Sequence, residues 1–135
     1  MKKIIVGTDT TASADLAVAD AADLARARGA ELLVLYVQPD GDLRAVVDPG
    51  KAANPQTYLA SLSTRFDGVT TTTRTEHGDP AEQICRVAAD ERADTIVVGN
   101  RGSHGNWWRV RDSIPNLVLR HSPCSVYVVD TRRAQ

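Results

Sequence analysis

Cysteine is scarce in these 135 residues: only Cys85 and Cys124 occur, and they form neither a C-x-x-C pair nor a zinc-finger spacing. A disulfide scaffold is therefore not expected, and the pair reads as buried free thiols in a reducing cytoplasm. No sign of charge dominates. Lys and Arg total 16 against 17 Asp and Glu, a formal charge of -1, whereas a nucleic-acid binder of this size carries a clear positive excess. No apolar run approaches the ~18 residues that a membrane span needs. The stretch Ile4-Ile5-Val6-Gly7 behind Met1-Lys2-Lys3 is too short for a secretory signal. The chain has no G-K-[ST], hence no P-loop lysine, and no G-x-S-x-G nucleophile elbow. Its three histidines, His77, His104 and His121, lack ligand spacing, so no metal site is expected. Ser103 and His104 are merely adjacent, which does not make a catalytic pair.

What remains is an ordinary globular composition. Hydrophobic residues at 42% and charged residues at 24% rule out a disordered chain. The length fits one domain spanning 1–135, able to bury roughly two-thirds of its unfolded surface without a staple. No internal repeat or linker is visible.

The pattern alternates strand and helix throughout. Ile4-Ile5-Val6, Leu32 to Val37, Thr95-Ile96-Val97-Val98 and Ser125 to Asp130 are short apolar runs, as expected of strands covered on both faces. Val69 to Glu76 is mostly threonine, which favours a strand but offers little to bury, so it reads as an edge. Helices are expected from Ser13, as N-cap, to Arg28 before Gly29; from Asn54-Pro55 to Asp67-Gly68; from Asp79-Pro80 to about Arg92; and, short, around Ile114, Leu117 and Val118 with Pro115 in the first turn. Thr131 to Gln135 reads as a frayed tail. Five strands and four helices in this order imply a parallel sheet with right-handed crossovers.

Such sheets bind ligands beyond the carboxyl ends of their strands. Two strand exits carry suitable residues: Gly7-Thr8-Asp9-Thr10-Thr11, and Gly99-Asn100-Arg101-Gly102-Ser103-His104-Gly105. Three glycines spaced by two residues let backbone N–H groups approach a phosphate. Arg101, Arg109 and Arg111 add positive charge with no acid before Asp112, and Ser113 opens a helix whose N-terminus favours an anion. Asp9 fits either ligand contact or a helix cap. Of Trp107 and Trp108, one is expected to pack on the sheet while its neighbour points elsewhere.

Ile4-Ile5-Val6-Gly7-Thr8-Asp9, Glu76-His77-Gly78-Asp79-Pro80-Ala81, Ala93 to Gly99 and Leu119 to Val126 together resemble the universal stress protein family over nearly the whole chain. The resemblance implies an α/β fold, an open five-stranded parallel sheet of order 3-2-1-4-5 with helices on both faces (Rossmann-like). It also implies a homodimer, and in many members a bound adenine nucleotide, ATP or AMP, with Mg accompanying ATP. Carried onto this chain, Asp9 would face the ribose or a metal and the Val37 backbone the adenine, with Thr8 a further binding residue. Gly99, Arg101, Gly102, Ser113 and Ile114 would receive the phosphates. The implied role is regulatory or sensory rather than enzymatic. The last strand, Val126-Tyr127-Val128-Val129, is the edge expected to pair with its own copy.

The family's nucleotide motif expects Gly where Asp112 stands and Gly-Ser where Thr10-Thr11 stand. A carboxylate there repels phosphates, so a member that has lost nucleotide binding is the alternative. Two further alternatives come from other folds. Thr8, Thr10, Thr11 and Ser13 resemble the hydroxyl-rich loop of flavodoxin-like proteins, although aromatics at 4% offer a flavin little to stack on beyond the Trp pair. A response-regulator receiver would need clustered acids and a lysine after strand five, which Asp130-Thr131-Arg132 does not supply.

Overall fold

The computed structural model describes residues 2–38, 54–100 and 113–131. In chain order the elements are β1 (Lys3–Thr8), α1 (Ala12–Arg28), β2 (Glu31–Gln38), α2 (Pro55–Leu62), β3 (Thr71–His77), α3 (Pro80–Asp90), β4 (Thr95–Gly99), α4 (Ile114–His121) and β5 (Ser125–Val129). The strands form one sheet of order β3-β2-β1-β4-β5, every pairing parallel. That is the α/β architecture expected from the sequence. It excludes the flavodoxin-like and receiver alternatives, whose sheets run 2-1-3-4-5.

The apolar strands feed two cores. Ile4, Val6, Leu32, Val34 and Val97 meet α1 and α2 on one face. Ile5, Leu33, Leu35, Ile96 and Val98 meet α3 and α4 on the other. Both faces are therefore dry, which is why these strands read as continuous apolar runs. The α1 contribution is almost all alanine (Ala14, Ala17, Ala21, Ala22, Ala25) with Val18, so its backbone lies close to the sheet.

Helix boundaries follow local chemistry. Asn54 and Asp79 cap α2 and α3, each followed by Pro at the first helical position. Gly29 closes α1 with φ 65, a left-handed turn that a Cβ disfavours. Three boundaries differ from the sequence reading. The N-cap of α1 is Thr11, not Ser13: Thr11 Oγ1 accepts from the Ala14 N–H at 3.2 Å, leaving Ser13 buried inside the helix. α2 stops at Leu62 rather than at Asp67-Gly68, where Ser61 and Ser63 hydroxyls donate to carbonyls three residues back, at 2.6 and 2.9 Å. α3 ends at Asp90 because Arg92 already adopts φ 54.

The two sheet edges differ in kind. On β3, Arg74 and Glu76 pair with each other at 2.7 Å and with Glu91 and Arg86 of the neighbouring α3 region at 3.1 and 2.9 Å. On β5, Tyr127 and Val128 are exposed, with Leu119 of α4 also exposed. Cys85 and Cys124 are free, as expected, but only half-buried. Burial pushes both thiols up from the usual range. Among the described residues, no helix is long and apolar enough to cross a membrane.

Candidate functional site

β1 and β4 are neighbours whose following helices, α1 and α4, pack on opposite faces of the sheet, so the topological switch point lies between their carboxyl ends. Thr8 pairs with Tyr36 of β2. Val6 pairs with Val97 of β4, and continuing that register sets Thr8 level with Gly99. Four of the expected site residues, Thr8, Asp9, Val37 and Gly99, thus share one rim. Ser113 and Ile114 open α4 at the same end, since its other end leads into the start of β5. The Ser113 hydroxyl accepts from the Asn116 N–H at 3.3 Å, its carbonyl accepts from the Leu117 N–H at 3.0 Å, and Ile114 packs against the core, so what these two residues can turn to a ligand is their backbone N–H groups at the helix start. Arg101 and Gly102, with Trp107, Trp108, His104 and Asp112, lie outside the described residues.

Asp9 is not the cap of α1. It braces the residue that is: its Oδ1 accepts from the Thr11 N–H at 3.1 Å and the Thr11 hydroxyl at 2.5 Å. Its second oxygen, Oδ2, accepts no hydrogen bond from any described residue. Between them, Thr10 donates its N–H to Thr8 Oγ1 at 3.0 Å and holds φ 70. A β-branched residue is strained there by about 1–2 kcal/mol, and such strain concentrates at functional sites. Burial, and secondarily the Asp9 carboxylate, raise the Tyr36 phenol from its ordinary value.

A second cluster, not anticipated from sequence, ties α2 to this rim. The Tyr58 hydroxyl donates to Asp15 Oδ1 at 2.5 Å. Arg65 grips the same carboxylate with both terminal nitrogens, at 2.7 and 2.8 Å. Thr8 also faces the Tyr58 hydroxyl. The Arg65 hydrogen bond holds Asp15 below the usual carboxylate range despite burial, and burial followed by Asp15 pushes Tyr58 up. Because the Asp15 value is depressed on folding, its contribution to stability is complete above the unfolded value of about 3.9 and is lost as pH falls through the folded one. Urea unfolding should therefore show Asp15→Asn less stable than wild type by about 1–2 kcal/mol at pH 7, with the gap closing below about pH 4. A gap independent of pH would refute the pairing.

Thr131, read from sequence as the start of a frayed tail, is instead fully buried. Asn100 Oδ1 accepts from its backbone N–H at 3.0 Å. His77 and His121 end β3 and α4. Among the described residues, no group of three His, Cys, Asp or Glu could hold a metal ion.

Comparison with known proteins adds sequence and structural relatives. A universal stress protein of Synechocystis sp., Slr1101, is 41% identical over 54 residues, which is 40% of this chain and 50% of that protein. Another from the same organism, Sll1654, is 31% identical over 133 residues, covering 95% of this chain and 85% of that protein. Among solved structures, a universal stress protein in complex with cAMP superposes with a TM-score of 0.78 at 25% identity, over 96% of this chain and 97% of that one. The model of the universal stress protein family matches residues 1–130, a stretch that includes the rim between β1 and β4, and the chain belongs to the universal stress protein family.

Proposed function

We propose that this chain is a dimeric adenine-nucleotide-binding protein of the cytoplasm, with a regulatory part in stress responses and no catalytic task of its own. The observation that carries the reading is the convergence of Thr8, Asp9, Val37 and Gly99 on the carboxyl rim at the β1/β4 switch point, with Asp9 Oδ2 left unengaged by the described residues. In this reading the Val37 backbone meets the adenine and Asp9 Oδ2 accepts from a ribose hydroxyl. Gly99 and the α4 N-terminus at Ser113 and Ile114 receive the phosphates, with Arg101 and Gly102 assigned there by resemblance. The relative bound to cAMP supports the ligand class. Where ATP is the ligand, Mg²⁺ takes most of its ligands from phosphates and water, so the site needs to offer no more than the Asp9 carboxylate.

β5 supports the dimer. Tyr127 is 47% and Val128 41% exposed on a strand whose outer edge pairs with no other described strand. A bare apolar edge of this kind is an aggregation hazard, which pairing with a second copy removes.

Isothermal titration with AMP and ATP tests the ligand reading. We expect saturable binding, weakened about tenfold or more by Asp9→Ala, the loss of one hydrogen bond to a charged acceptor. Asp112, a carboxylate where the family's nucleotide motif has glycine, favours the second reading, a member that no longer binds nucleotide. A flat titration with both nucleotides selects it.

A further inference from the structure

Asn100 follows Gly99 directly, and both its backbone and its side chain are engaged by the exit of β5. Its N–H donates to the Val129 carbonyl at 2.9 Å. Its Oδ1 accepts from the Thr131 N–H at 3.0 Å and from the Thr131 hydroxyl at 3.3 Å. Its Nδ2 donates to Asp130 Oδ1 at 3.4 Å. Both amide atoms of one side chain thus go to the two consecutive residues that follow β5. The anchor is firm, because Thr131 is fully buried and its methyl presses on Gly99, 2.8 Å from where a Cβ would stand.

The physical need for such an anchor is clear. Gly99 has no side chain, so beyond its pairing with Val129 in the sheet its backbone depends on neighbouring residues to fix its position. A backbone group that is to meet a ligand must be held within about 0.5 Å of its working position by its surroundings. Asn100 supplies this hold one residue away, by fastening the end of β4 to the end of β5.

We propose that Asn100 is a positioning residue for the nucleotide site, acting on the Gly99 backbone through its bonds to Thr131 and Asp130. The proposal rests on the nucleotide-binding reading above. Asn100 itself touches no ligand in it.

Titration calorimetry with AMP and ATP at 25 °C tests this, with circular dichroism to show that each variant is folded. Asn100→Ala should lose about tenfold in affinity, the worth of one or two such bonds. A purely structural role would lower the melting temperature and leave affinity at 25 °C unchanged. Asn100→Asp combined with Asp130→Asn exchanges donor and acceptor across the last bond and keeps the acceptor for Thr131, so it should recover affinity to within about threefold of wild type. If Asn100→Ala does not fold, Thr131→Val, which removes only the hydroxyl donor, should still weaken binding about threefold. Wild-type affinity in whichever of these two truncations is folded, or an exchange variant no better than Asn100→Ala, overturns the positioning role while leaving the nucleotide reading intact. A wild-type chain that binds neither nucleotide overturns that reading and this proposal together.

Discussion

A Val128→Pro variant is expected to sediment as a monomer at micromolar concentrations where the wild-type chain is proposed to be a dimer. The direction follows from strand geometry. Asn100 N–H donates to the Val129 carbonyl, so the polar groups of Val129 face β4. Those of Val128, one residue back, face the open edge. Proline at that position removes an outward N–H that a second copy would use and leaves the ladder between β4 and β5 intact. Proline is tolerated on an edge strand for this reason. The monomer should therefore unfold within about 1 kcal/mol of wild type, while the dimer dissociation constant rises by roughly a hundredfold or more. Val128→Thr, which keeps the donor, is the control that should stay dimeric. A wild-type monomer, or a dimer that survives the proline, would remove β5 as the interface.

The second large effect lies at Gly99. Its Cβ, if present, would stand 2.8 Å from Thr131 Cγ2 and 3.7 Å from Ala17 Cβ. Thr131 is fully buried and held at both its N–H and its hydroxyl, so it cannot swing away as a flexible side-chain tip would. Gly99→Ala is expected to cost about 2 kcal/mol of unfolding free energy, in the range found for overpacked cores. Thr131→Ser removes the opposing methyl and keeps the hydroxyl. Added to Gly99→Ala it should restore at least about 1 kcal/mol, although alone it leaves a small void and destabilises. Denaturant melts of the two single variants and the double variant form the cycle. Additive losses would show that the two residues do not press on each other.

The fold was legible because each strand advertises its place. Ile4 to Val6 and Leu32 to Val37 are apolar without alternation since both faces are covered. The threonines from Thr71 to Thr73 declare an edge, and Asn54-Pro55 and Asp79-Pro80 spell out two helix starts. The candidate rim was legible to the extent that a strand end fixes it: Thr8, Val37 and Gly99 arrive there by strand register, and Asp9 directly follows β1. The rest depended on distant partners. Thr11 and Ser13 are equally able caps in sequence, and only the grip of Asp9 on Thr11 selects between them. Tyr58 and Arg65 lie 43 and 50 residues from Asp15. Thr131 sits in a polar run that looks like a tail until Asn100, 31 residues earlier, is seen to hold it.

The β1–β4 pairing has a consequence for how the chain assembles. It joins residues about as far apart as Lys3 and Asp94, which are 91 positions apart, whereas the pairings on either side of it span far shorter stretches. Closing so long a loop is entropically the slowest of the sheet's pairings. The β1–α1–β2 unit can form early, and β4 with β5 can form independently, but the crevice between β1 and β4 exists only after the two pieces dock. Because that crevice is the candidate site, a half-folded chain has no place for the ligand. A nucleotide that binds only the completed sheet would therefore act as a thermodynamic ratchet on the last step of folding.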